Sequence, residues 1–444
     1  MLTGQSTDVE IDEGQPMVGY LIMDLLRLIR YDFSIATHEV SMLTRHLPLL
    51  LPLATTIIGC QMRSGNSAEL KLIGGETVTA EQFPASVALT SNGVEFCSSV
   101  KVAPRVFLTS AHCVLEQTPD AIDNGTQKIY EALAPGRPIA MRNADGLQLT
   151  VPIAKVVPHP LYRYALSSAF SGPDVALITV ADDSPGIGIA SLSKQNLLAG
   201  AEILVGGFGC ERGRSIDGSD TTPGVHPLKY AKATLLDDEA VRASSGSTNV
   251  EGIEPKSFKA MRDTFFSTRG IQMDPSSSSI CPGDSGGPAY VGNGGAYEVV
   301  GVNSWTNYKL DGTDPDGLGT HSMITRLDAG GRYDLKSWIE SQITGTPLRL
   351  KWTAEKFISF PQGENIVELK LLPFKANHIG IDLLGTYRRC ASAVSGVSIG
   401  ETDLPDLGAG KFQITTEAEI TALKVKIQSP YTFERCLVSV FIAD

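Results

Sequence analysis

The chain has 444 residues with 37 basic and 49 acidic side chains, a formal net charge of −12, and 42% hydrophobic against 19% charged residues. That length exceeds one ordinary domain, and the composition is globular with apolar material for more than one core. The acidic balance, with no basic block to neutralise phosphates, excludes a nucleic-acid partner. The 44 glycines and 25 prolines point to many short strands joined by turns, and no internal repeat of fixed period is present.

Taken in chain order, residues 1–41 are acidic at the start and partly apolar from Met17 to Ile29, with Asp24 and Arg27 interrupting the run. Two readings stand for them: an extension upstream of a true start at Met42, or a short helix of unknown role. Residues 42–59 carry Arg45 and His46 ahead of an apolar stretch from Leu47 to Gly59, the layout of a secretory signal peptide. The stretch is shorter than the roughly 20 apolar residues of a membrane span, and Pro48 and Pro52 disfavour a long helix. Ile57-Ile58-Gly59-Cys60 resembles the lipobox of bacterial lipoproteins, in which the cysteine is lipidated and becomes the first residue; an ordinary signal peptide with a chance cysteine is the alternative.

Val106-Phe107-Leu108 reads as a buried strand, and Thr109-Ser110-Ala111-His112-Cys113 follows it, so His112 stands just past a strand end. Pro173-Asp174 sets an acid immediately before a second apolar run, Val175–Ile178. The segment Cys281-Pro282-Gly283-Asp284-Ser285-Gly286-Gly287-Pro288 places a serine hydroxyl among glycines. Such a hydroxyl is a weak nucleophile until a base takes its proton and a third group orients that base. Glycines permit turns closed to other residues and let a substrate come close. The N–H groups of Gly283 and Ser285 are then candidates to meet a developing oxyanion. His112, Asp174 and Ser285 are the catalytic candidates.

The order His, Asp, Ser and these three contexts resemble the trypsin/chymotrypsin family of serine proteases. Leu72-Ile73-Gly74-Gly75 looks like that family's mature N-terminus, and Pro158-His159-Pro160-Leu161-Tyr162 like the segment upstream of its aspartate. Gly207-Phe208-Gly209, Asn303-Ser304-Trp305, Ile324-Thr325-Arg326-Leu327 and Trp338-Ile339 match further landmarks, so the likeness spans residues 72–345. It implies an all-β fold, with a two-barrel protease domain over that range, and hydrolysis of protein or peptide substrates without a cofactor. In that reading Ser285 attacks the scissile carbonyl, His112 shuttles the proton, Asp174 orients His112, and Ser304 hydrogen-bonds to Asp174. Residues 60–71 become a propeptide, cut at Lys71/Leu72 by a separate activating protease, and the freed amine of Leu72 pairs with Asp284. Leucine replaces the family's usual isoleucine or valine there. The specificity pocket takes its floor from Ser279 and its walls from Thr306, after Trp305, and Ser322. With no acid at the floor and side chains on both walls, small or medium apolar residues are expected at the cut.

Of the seven cysteines, Cys60 is assigned to lipid and six remain to pair. The resemblance implies Cys97–Cys113; Cys281 lacks its usual family partner, so Cys210–Cys281 is the substitute, leaving Cys390–Cys436. Such bridges need an oxidising compartment, which places the protein in the periplasm or at the cell surface, membrane-bound only through lipid before activation and released to the medium after it. His159 is read as structural, and His38, His46, His226, His321 and His378 lack metal-ligand spacing, so no metal is expected. Tyr333–Glu340 is expected to be a helix closing the protease domain. Residues 346–444 alternate apolar and polar, as at Val367, Leu369 and Leu371 or Leu423, Val425 and Ile427, and read as a small antiparallel β-sandwich. It is either a substrate- or surface-binding module or a domain that packs on the protease. The competing function is a non-catalytic, protease-like binding protein.

Overall fold

The computed structural model describes residues 75–444 except 92–93, 119–126, 164–171, 211–224, 245–254, 308–318, 349, 385–392, 409, 431 and 444. The expected signal segment, Cys60, Lys71, Leu72 and Cys390 lie outside the described residues. Among the described residues, no helix is long and apolar enough to cross a membrane.

The chain is mostly β. A short strand β1 (Glu76–Thr77) precedes six strands that close a barrel in the order β2-β3-β4-β7-β6-β5: β2 (Ser86–Ser91), β3 (Val94–Ala103), β4 (Val106–Thr109), β5 (Pro138–Arg142), β6 (Gln148–Pro158) and β7 (Ala176–Val180). Barrel closure removes edge strands, and alternate side chains fill the interior. Phe107, fully buried in β4, packs with Val87, Leu89 and Ile178; truncating such a phenylalanine to alanine costs about 3–5 kcal/mol.

The second sheet takes β8 (Glu202–Gly207), β9 (Lys229–Thr234), β10 (Phe265–Arg269), β11 (Pro288–Asn293), β12 (Ala296–Asn307) and β13 (His321–Arg326) in the order β1-β9-β8-β11-β12-β13-β10. It is curled rather than closed. A single bridge between Leu235 and Thr268, with Leu236 N–H donating to Ser267 O at 2.9 Å, brings the β9 and β10 ends together. The sequence reading passed over two short helices, α1 (Asp238–Ser244) and α2 (Pro255–Thr264), the second burying Phe258 and Met261 beneath a charged outer face. The closing helix α3 runs Leu335–Thr344, shifted from the expected Tyr333–Glu340. Asp334 caps its start by accepting from Ser337 N–H at 3.4 Å, and Gly345 ends it at φ 74°.

Nine strands follow among the described residues. β14 (Trp352–Phe360), β15 (Gly363–Phe374), β16 (His378–Leu384), β17 (Ala393–Ile399), β18 (Thr402–Asp403), β19 (Asp406–Gly408), β20 (Lys411–Gln413), β21 (Ile420–Ser429) and β22 (Phe433–Ile442) form sheets ordered β14-β22-β16-β20-β19 and β15-β21-β17-β18. Leu369, Val397, Leu423, Val425 and Ile427 from the second sheet meet Ile379, Val438 and Val440 from the first, the two-face packing of a sandwich.

This sandwich shares its core with the part of the chain before it. Trp352, Leu372 and Phe441 join the cluster of Trp338, Ile339 and Tyr333, while Leu384 and Leu437 join that of Phe258, Met261 and Phe265. At the junction the Glu355 side chain is 0% exposed. It takes Arg163 Nη1 at 2.7 Å, Arg332 Nη2 at 3.1 Å, Tyr333 Oη at 2.9 and 3.0 Å, and Ser439 Oγ at 3.1 Å. Burial pushes its carboxyl up, and the two guanidinium groups outweigh that and hold it below the usual range.

Candidate active site

His112 sits in a single 3₁₀ turn, Ala111–Cys113, directly after β4, and a Cys97–Cys113 disulfide with Cα atoms 6.3 Å apart ties that turn to β3. Its Nδ1 lies 2.7 Å from Asp174 Oδ2, and its backbone N–H donates to Oδ1 at 3.0 Å. With both carboxylate oxygens facing one residue, the ring is oriented and its proton held on Nδ1, so Nε2 is the free basic nitrogen. Ser304 Oγ donates to Oδ2 at 2.5 Å. Asp174 is 2% exposed, whereas the His112 side chain keeps 24%. Burial pushes the Asp174 carboxyl up, but the adjoining His112 charge and the hydrogen bonds win and hold it below its ordinary value. Burial likewise opposes the imidazolium, and Asp174 overcomes it, so His112 is raised above 6.5.

Ser285 lies in the loop ahead of β11. Its Oγ donates to Ser304 O at 3.5 Å; among the described residues it makes no hydrogen bond to His112. The two are nonetheless neighbours. Cys113 Sγ is 3.9 Å from His112 Nε2 and 3.7 Å from Ser285 O, and Ser304 touches both Asp174 and Ser285.

The loop's shape depends on its glycines. Gly283 and Gly286 have φ of 95° and 82°, and a Cβ on Gly286 would lie 2.0 Å from Thr109 Oγ1. Cys210 N–H donates to Pro282 O at 2.9 Å. In a trans peptide C=O and N–H point opposite ways, so the Gly283 N–H is turned away from the Cys210 turn. Among the described residues, neither the Gly283 nor the Ser285 N–H donates to any protein group, and both residues are partly exposed. Two free N–H groups that close together suit a developing oxyanion. Between them Asp284 is fully buried, accepting from Gly209 N–H at 2.8 Å and Cys281 N–H at 2.9 Å. A Cβ on Gly209 would come within 2.5 Å of its carboxyl carbon, which is why Gly207-Phe208-Gly209 needs glycine there. Cys210 and Cys281 are disulfide-bonded with Cα atoms 5.8 Å apart, and Cys436 is in a disulfide as well.

Two of the three expected pocket residues, Thr306 and Ser322, meet at Ile280. Thr306 Oγ1 donates to Ile280 O at 2.6 Å, Ser322 Oγ accepts from Ile280 N–H at 3.0 Å, and Ser279 Oγ accepts from Ile271 N–H at 2.9 Å. Ser279 and Ser322 are each 1% exposed. The Trp305 ring stands edge-on to Phe265 at 6.3 Å, packed toward the junction with the sandwich. His159 is fully buried; its Nδ1 accepts from Leu161 N–H at 3.2 Å, its ring packs on Trp338, and burial lowers its pKa to about 3. Cys97, His112 and Cys113 group donor atoms closely enough for a metal, but both sulfurs are spent in a disulfide, leaving one nitrogen.

Sequence reasoning missed Ser98 and Glu355. Ser98 lies on β3 against the Ser285 loop, and its only signal is adjacency to Cys97. Glu355 gave none, because its partner Arg163 is 192 residues away.

The sequence model of the trypsin family, described as "Trypsin", matches residues 72–323. The chain is similar to "Serine protease SP24D" of Anopheles gambiae, 27% identical over 58% of this chain and 80% of that protein. It is also similar to "Trypsin delta" of Drosophila erecta, 24% identical over 58% and 87%, and to "Trypsin" of Saccharopolyspora erythraea, 25% identical over 53% and 86%. With the family matched over more than half its length, the chain belongs to the trypsin family and is a serine endopeptidase acting on protein substrates.

Proposed function

We propose that Ser285 is the nucleophile, His112 the general base and acid, Asp174 its orienting acid, and the Gly283 and Ser285 N–H groups the oxyanion donors. The observation that carries this is the contact chain Ser304–Asp174–His112, with His112 Nε2 and the Ser285 carbonyl against one sulfur. Turning Ser285 Oγ from the Ser304 carbonyl toward Nε2 readies it for attack; catalytic hydrogen bonds commonly tighten only with substrate bound. Oγ then adds to the scissile carbonyl, and its proton passes to His112, whose charge Asp174 stabilises. Collapse sends that proton to the leaving amine, and water hydrolyses the acyl-enzyme by the same route. A serine-directed phosphonate should label Ser285 stoichiometrically. A folded chain already cut at Lys71 and still left unlabelled favours the non-catalytic binding reading instead.

The Thr306 hydroxyl reaching across to the Ile280 carbonyl supports a shallow specificity pocket. Alanine or valine at the cut is preferred over lysine, whose ammonium would meet no acid at Ser279; a cleavage profile dominated by lysine or arginine rejects this. Cleavage at Lys71/Leu72 by a separate trypsin-like protease activates the chain, the new amine pairing with Asp284. Self-maturation at a rate second-order in enzyme rejects the separate activator. The bridges fit an exported protein, and lipid on Cys60 holds it at the membrane until that cut frees residues 72–444. Absence of palmitate incorporation, or retention of cut enzyme in the membrane fraction, rejects the anchor. The domain at residues 346–444 acts by packing on the protease at residues 72–345, an assignment supported by the Glu355 cluster and the shared apolar core.

A further inference from the structure

We propose that Ser98 is a positioning residue for the oxyanion donors, holding the Gly283 loop of the second protease sheet to the barrel that carries His112. Ser98 belongs to β3, one residue after the Cys97–Cys113 bridge, and is 1% exposed. Its Oγ donates to Gly283 O at 2.8 Å and accepts from Phe208 N–H at 2.9 Å, while its backbone N–H donates to Ser285 O at 2.8 Å. One buried side chain and its own amide thus grip both residues whose N–H groups face the reacting carbonyl, together with the Gly207-Phe208-Gly209 turn behind them.

The geometry gives each grip a distinct consequence. The Gly283 residue is bounded by two peptide planes. Cys210 N–H fixes the plane before it through Pro282 O, and Ser98 Oγ fixes the plane after it through Gly283 O. Gly283 has no Cβ and sits at φ 95°, so its own torsions offer little resistance to turning. Asp284 N–H still donates to Cys281 O at 2.9 Å, but without the Ser98 hydroxyl Gly283 O loses its tie to the barrel, and the Gly283 residue can shift as a whole, its N–H with it, off the position the oxyanion occupies. Donors contribute to acyl transfer only when fixed before the charge develops. Ser98 itself, buried behind the loop, touches neither substrate nor the transferred proton.

Because this rests on the endopeptidase reading, the experiment compares Ser98→Ala and Ser98→Gly with Ser99→Ala in the full chain cut at Lys71. Ser99 is the neighbour on β3 whose buried hydroxyl donates to Leu108 O at 2.8 Å, a hydrogen bond of the same kind that does not reach the loop. The readouts are kcat and KM on an alanine p-nitroanilide peptide, the Ki of a peptidyl trifluoromethyl ketone, and thermal unfolding. Removing one oxyanion donor costs about 10²–10³ in kcat, so misplacing one should cost roughly 10–100-fold. Both Ser98 variants are expected to lose that much in kcat with KM within about twofold, and to bind the trifluoromethyl ketone more weakly by the same factor, since its hemiketal oxyanion uses the same donors. Ser99→Ala is expected to lose stability but keep kcat. Ser98→Gly removes the hydroxyl without adding bulk, so it reports the split even if Ser98→Ala folds poorly. Wild-type kcat in either folded Ser98 variant, or an equal kcat loss in Ser99→Ala, overturns the assignment while leaving the protease reading intact. A wild-type chain that neither hydrolyses the peptide nor reacts with a phosphonate overturns both.

Discussion

Asp174 in the cleft is 2% exposed, and the Glu355 side chain at the junction with the C-terminal sheets is 0% exposed. The cleft surrounds its acid with a histidine, a serine hydroxyl and a backbone N–H. The junction surrounds its acid with two guanidinium groups, a phenol and a hydroxyl. An arginine does not release its proton, whereas a histidine does so near neutral pH. In the proposed mechanism the same carboxylate, equally buried, therefore serves a transient charge in one place and a permanent one in the other. Chemistry follows from the neighbour that can change its charge, and attachment from neighbours that cannot.

Substitutions should separate the two regions, and the sharpest is Ser285→Ala. It is expected to lower kcat by about 10⁶, since removing one member of a triad costs about as much as removing all, with thermal stability little changed. Casein hydrolysis by the cut variant at a comparable rate would falsify the assignment. Glu355→Ala should do the reverse. Two buried guanidinium groups lose their counter-charge, at about 3–5 kcal/mol, so unfolding by urea should shift strongly to lower concentration. Stability equal to wild type would mean that the sandwich is an independent module. The sign of the pH effect follows from the lowered carboxyl of Glu355. Its contribution is present above the unfolded glutamate value of 4.5 and is lost as pH falls toward the folded value. Glu355→Gln should accordingly show a weaker loss of stability on acidification than wild type.

Thr306→Gly tests the cleft's selectivity. Removing the hydroxyl that spans to Ile280 O should raise kcat/KM for leucine or phenylalanine peptides relative to alanine by about 1–3 kcal/mol in discrimination. An unchanged profile indicates that other groups set the pocket. The smallest effect concerns His112. Catalysis needs it neutral, and its pKa is raised, so kcat/KM should fall on acidification with a midpoint above 6.5. Asp174→Asn removes the charge responsible and should move the residual activity's midpoint down; a midpoint that stays put detaches Asp174 from His112.

The cleft was legible because its chemistry is written locally. A serine among glycines, a histidine after a strand and an aspartate before one are short-range patterns, and period-2 alternation along β15 and β21 exposes a sandwich in the same way. Boundaries were less legible. α3 begins at Leu335 because Asp334 caps it, and α2 escaped notice because its buried positions are few among charged neighbours.

The sequence by itself therefore determined the all-β class, the residue types of the cleft and their chain order, because strand periodicity and turn glycines act over a few residues. Tertiary structure alone decided which groups surround them. Ser98 reaches Gly283 across 185 residues, and Glu355 reaches Arg163 across 192. Each pairing depends on two segments folding to within 3 Å of one another, and the direction in which a buried side chain finds its partner is set by packing rather than by its neighbours in the chain.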